Sequence, residues 1–100
     1  MAHRLRWSDR ALDELDAILA DIARDTPLNA AAVHDRIKRR LVSLPEQPRQ
    51  GRRVPEYEGE DEMRELIVQS WRVIYRITET EVVIVAVVHG ARLLRNVPPI

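Results

Sequence analysis

The sequence predicts an α+β fold: an N-terminal strand, then an antiparallel helical hairpin packed on a C-terminal three-stranded antiparallel meander. Two periodicities and one apolar run carry that prediction. Apolar residues recur at helical spacing from Leu12 to Leu44, broken once by a proline. From Met63 the spacing drops to two, and the final run "VVIVAVVH" is apolar on both faces, which suits a strand covered from both sides. With 100 residues and no linker, repeat or low-complexity tract, a single domain spanning 1–100 is expected.

Each element has a local reason. In "HRLRW", Leu5 and Trp7 alternate with Arg4 and Arg6, the pattern of a short half-covered strand. Ser8 offers a side-chain oxygen as N-cap of a first helix running to about Arg24, with Leu12, Leu15, Ile18, Leu19 and Ile22 at helical spacing. Pro27 in "DTPLN" cannot continue that helix. Asn29 is placed to cap a second helix, whose stripe is Ala30, Val33, Ile37, Leu41 and Leu44. Two prolines and a glycine in "LPEQPRQG" end it. "MRELIVQ" and "WRVIYRIT" then read as strands joined by a turn near Gln69 and Ser70. In the second of them Trp71, Val73, Tyr75 and Ile77 share one face, and Arg72, Ile74, Arg76 and Thr78 share the other. A turn at "TETE" leads into the last strand.

The net charge of zero, from 16 basic and 16 acidic side chains, hides a strong segregation. Residues 9 to 25 carry six acids against two bases, and residues 34 to 56 seven bases against three acids. Residues 56 to 66 return to six acids and one base, and beyond residue 82 the only charges are Arg92 and Arg95. Such a pattern fits a basic face that attracts nucleic acid or acidic protein, and it also fits ordinary solvated helix faces. The absence of cysteine excludes disulfides and thiolate metal sites. The polar N-terminus does not resemble a signal peptide and no apolar run is long enough to span a bilayer, so a cytoplasmic protein without a membrane partner is expected.

No Gly-rich phosphate loop, His-Glu-x-x-His pattern or serine elbow is present, and His3, His34 and His89 fall on three different elements. Neither a metal nor another cofactor is expected. Metal-free RNA cleavage would need a base, an acid and cations for the phosphate. His89 is the candidate for proton transfer, and Arg64, Arg72, Arg76 and Arg92 are candidates for the cations. The stretch "VVHGARLL" also has a structural reading, in which Gly90 permits an unusual backbone angle and His89 bonds a neighbouring carbonyl. Arg92 has no acid after it in the chain and reads as a contact residue.

Four words in order, "LRWSDRALDELDAI", "GRRVPEY", "RELIVQSWRVIYRI" and "VVIVAVVHGARLL", resemble the RelE/ParE superfamily of type II toxin–antitoxin toxins. The hairpin, the "GR-x-VPE" loop and "HGAR" resemble its ParE-like, plasmid-stabilisation branch. The resemblance implies a toxin held inactive by a cognate antitoxin, ParD-like or similar, that folds on binding. RelE-like members cut messenger RNA in the ribosome, whereas ParE-like members inhibit or poison DNA gyrase. The ribonuclease members carry lysines and arginines on the sheet and a C-terminal histidine or tyrosine. Here Arg92 is similar to one of those arginines, but "RNVPPI" ends without a tyrosine and the sole lysine is Lys38, on the second helix.

The resemblance therefore implies a non-catalytic gyrase inhibitor, with no direct nucleic-acid binding of its own. Its expected target contacts are Arg64, Arg72, Arg76, Arg92 and Arg95. The antitoxin is expected on Leu15, Ile18, Leu19 and Ile22, because Ile18 lies off the line of the other three. A ribosome-dependent endoribonuclease using His89 and Arg92 is the alternative.

Overall fold

Residues 2–90 are described by the computed structural model. Along the chain lie β1 (Arg4–Trp7), α1 (Asp9–Asp25), α2 (Pro27–Leu41), a 3-10 turn (Pro48–Gln50), β2 (Arg52–Arg53), β3 (Glu62–Val68), β4 (Trp71–Ile77) and β5 (Glu81–His89). The α+β class and the helical hairpin on a C-terminal meander are as the periodicities predict. The sheet has five strands in the order β1-β5-β4-β3-β2, with β1 parallel to β5 and the other pairs antiparallel.

The Ser8 cap forms as expected, its side chain accepting from the Ala11 amide at 3.1 Å. The start of α2 differs from expectation. Asn29 lies inside the helix, and Thr26 stands at the N-cap without a side-chain bond. Pro27 takes the first helical position, where its fixed φ suits the helix and its missing N–H leaves no donor to satisfy.

The stripe residues Leu15, Val33, Ile37, Leu41 and Leu44 are buried with Val73, Tyr75, Ile77, Val82, Ile84 and Val87 in one core between hairpin and sheet. Here α1 packs over β5 and α2 reaches β3. The opposite face of the sheet is also covered, as the two-sided apolar run of β5 implies, though the sequence reading did not identify the segment that covers it. Val54, Met63, Ile74, Val83, Val85, Ala86 and Val88 form a second cluster, with Tyr57 against it. Successive residues Val85 and Ala86 both belong there because the ladder slips. Ile74 faces Ala86 but Tyr75 faces Ile84, leaving Val85 as an extra residue in a β-bulge.

The strap that covers this second cluster begins at Gly51. The Gly51 amide donates to the Tyr75 hydroxyl at 3.0 Å, and that hydroxyl donates to the Pro48 carbonyl at 2.7 Å. A side chain at position 51 would collide with the Glu65 carbonyl and the Tyr75 hydroxyl, so close approach explains this glycine. Gly90 is also a close-approach position rather than an unusual angle. No glycine has a positive φ. The Gly90 amide donates to the Ser70 carbonyl at 2.7 Å, and an added Cβ would lie 3.2 Å from that oxygen. Replacing Gly51 by alanine is expected to destabilise the fold by about 1–3 kcal/mol. Thermal unfolding should show a lower midpoint, and an unchanged one would mean the strap can move aside without loss.

Candidate functional site

The arginines expected to make one basic strand face are divided between two faces and paired with carboxylates. Alternation along β4 puts Arg72 and Arg76 on the side of the second cluster, whereas Arg64, opposite Tyr75, lies on the hairpin side. Arg72 is the clearest correction, because it is only 4% exposed instead of pointing to solvent. Its Nε donates to Glu65 Oε1 at 2.7 Å, and its two terminal nitrogens donate to the Glu56 carboxylate at 2.7 and 2.8 Å. The second oxygen of Glu65 accepts from Arg52 Nε at 2.6 Å. The result is an alternating row, Arg52–Glu65–Arg72–Glu56, across β2, β3, β4 and the strap. Charge-assisted bonds at this spacing hold Arg72 protonated, the Glu56 bond contributing most.

Arg64 is held equally firmly. Its Nε donates to Glu62 at 2.9 Å and its Nη1 to the Gly51 carbonyl at 2.8 Å. Glu62 also receives two 2.9 Å bonds from Arg49. The Arg49 bonds, seconded by Arg64, hold the Glu62 carboxyl below the usual carboxylate range. Arg76 is partly exposed and lies 3.7 Å from Asp61, with its Nε buried and unpartnered among the described residues. Tyr75 is committed to its two structural hydrogen bonds. Burial pushes its ionisation above the ordinary value.

His89 ends β5 on the surface, with its ring edge-on to Trp71 at a centroid distance of 5.5 Å. Among the described residues no group of three metal-ligating side chains comes together. Arg92 and Arg95 lie outside the described residues.

The proposed antitoxin stripe on α1 is also sorted by depth. Leu15 is 3% exposed and belongs to the core, which corrects its expected place on a surface stripe. Ile18, Leu19 and Ile22 are half-buried against that core, and Leu12, which shares their helical spacing but was not an expected antitoxin contact, is 40% exposed. Sequence reasoning also missed Glu14, whose Oε1 accepts from the Val87 amide at 3.0 Å. That bond fastens α1 to the part of β5 that extends past the end of β1. Its only sequence signal is an acid between Leu12 and Leu15 on an amphipathic helix.

The same architecture occurs in a solved structure titled "Chromosomal ParDE TA system from P. aeruginosa", with a TM-score of 0.75. That chain is 23% identical, and the match covers 88% of this chain and 96% of that one. No curated protein sequence matches. A family model described as the ParE toxin of type II toxin–antitoxin system, parDE, matches residues 5–94. The chain belongs to the ParE toxin family.

Two predictions follow from the charge rows. Arg72→Ala leaves the Glu65 carboxylate buried without its main partner and is expected to cost about 3–5 kcal/mol in urea unfolding. Adding Glu65→Gln should recover part of the loss by removing the uncompensated charge. Glu62 titrates lower in the folded chain than in the unfolded one, so it contributes stability above about 4.5 that is lost as the pH falls through its depressed native value. Glu62→Gln should flatten the acid side of the stability profile, and an unaltered slope would refute that assignment.

Proposed function

We propose that this toxin acts by binding DNA gyrase and inhibiting it, and that a ParD-like antitoxin neutralises it. The observation that carries this reading is the internal neutralisation of the sheet arginines. Phosphate cleavage without a metal needs cations available to the developing charge, and a base and acid beside them. Arg64 and Arg72 instead spend their donors on Glu62, Glu56, Glu65 and the Gly51 carbonyl. Family membership supports the same choice.

Target contact falls to the region where β5 ends. Arg92 and Arg95 are the principal cations, followed by no acid in the chain. Arg76, with 24% of its side chain exposed, pairs with Val83 near the start of β5 and would make a separate, second contact. Arg64 and Arg72 serve this surface by holding the strap and the strand in place. For the antitoxin, an amphipathic helix over Ile18, Leu19 and Ile22 would cover the half-buried flank of α1, with Leu15 packing beneath.

Charge reversal of Arg92 and Arg95 to glutamate is expected to keep the fold and to weaken gyrase binding and supercoiling inhibition together, by roughly tenfold or more. Full inhibition by that variant would sink the proposed contact. His89→Ala should leave both unchanged. If it instead abolishes toxicity while binding persists, and methionine incorporation stops before thymidine incorporation on induction, ribosomal RNA-cleaving activity replaces this reading.

A further inference from the structure

The outer face of the helical hairpin is used by neither the gyrase nor the antitoxin contacts proposed above. On α1 it presents Asp13, Asp16 and Ala20, and on α2 Ala32, Arg36 and Arg39, all of them exposed. Ile18, Leu19 and Ile22, packed against the core, lie on the other side of α1.

The turn between the helices sets these residues level with one another. Asp13 lies as far before Asp25, the last residue of α1, as Arg39 lies after Pro27, the first of α2. The same count places Asp16 level with Arg36, Ala20 with Ala32, and Arg24 with Leu28. Far from the turn, therefore, one helix offers acids and the other offers arginines, and nearer to it both offer small side chains. Within one chain these opposite charges do not meet. Asp13, Asp16, Arg36 and Arg39 make no ion pair among the described residues, although their neighbours Arg10, Glu14, Asp21 and Arg24 pair along α1. At the turn Leu28 is 88% exposed, although it is large and apolar.

We propose that this face receives a second copy of the same chain, related by a two-fold axis parallel to the helices. That axis lays α1 of each protomer against α2 of its partner, level by level, as an antiparallel four-helix bundle. Asp13 then meets Arg39 and Asp16 meets Arg36, each pair made twice by symmetry. Ala20 meets Ala32 where the helices approach most closely, and the aliphatic stem of Arg24 covers Leu28. A two-fold axis across the helices would instead lay α1 on α1 and α2 on α2, acids on acids and arginines on arginines. Charge complementarity thus selects both the occupant and its orientation.

The test is sedimentation velocity of the full chain over a range of concentrations. A dimer is expected at low salt, dissociating in about 0.5 M salt. Asp13→Arg and Arg39→Asp should each weaken it roughly tenfold, and the chain carrying both exchanges should recover it, because the pair is restored with its signs reversed. Circular dichroism checks the fold of each variant. The sequence has no cysteine, so Ala20→Cys and Ala32→Cys, prepared separately, report the contact directly. Oxidising their mixture should give more disulfide-linked dimer than oxidising either alone. A chain that stays monomeric at every concentration overturns the proposal, as do single exchanges without effect, a double exchange that restores nothing, or no excess of cross-link in the mixture. So does a monomer that instead binds a labelled DNA duplex through Arg36 and Arg39. No toxin activity is read, so failure here leaves the gyrase reading untouched.

Discussion

The carboxylate of Glu65 is the constraint around which the outer half of the molecule is organised. It is fully enclosed between two strands and a strap, where an isolated charge would be prohibitively costly. Arg72 answers it from β4, but a buried guanidinium needs partners for its remaining donors, and Glu56 supplies them from the strap. Arg52 completes the row from β2. Each ion makes the next one necessary, so the strap has one place to lie. That place puts Val54 and Tyr57 over Ile74, Val83, Val85 and Val88, and the second apolar cluster closes beneath them. Removing one member of such a buried pair costs far more than the pair itself contributes.

The pairing also gives the zero net charge a structural meaning. The bases of residues 49 to 53 and the acids of residues 56 to 65 largely neutralise one another or the sheet arginines. Among the described residues, the largest groups of charges still available to partners are the acids scattered along α1 and the arginines of α2. The molecule is polar from helix to helix rather than from sheet to helices. A basic stripe read along β4 therefore misplaces the field that an approaching molecule meets.

What was legible in the sequence follows from the range of the interaction concerned. The α1 and α2 stripes, the Ser8 cap and the three-strand meander depend on neighbours within a turn or a hairpin, and their periodicities declare them. The shared face of Trp71, Val73, Tyr75 and Ile77 was equally plain. The fate of Arg72 was not, because its carboxylates stand 7 and 16 residues away and reach it only once the strap has folded over. The two-residue β2 carries no alternation to detect. The bulge at Val85 is invisible in a run where every residue is apolar. Leu15 and Leu19 share one line of the helix, and only the angle at which α1 meets β5 separates core from flank.

The parallel pairing of β1 with β5 joins Arg4 to Glu81, nearly opposite ends of the described chain. During synthesis β1 thus waits for β5, made long after it, before it has a neighbour in the sheet. Until β5 is complete, Leu5 and Trp7 lack the strand beside them and α1 lacks the Val87 amide that Glu14 holds. Such long-range closure slows folding relative to local contacts. For a protein made to harm its own cell, this order of assembly means that an unfinished copy is also an unarmed one.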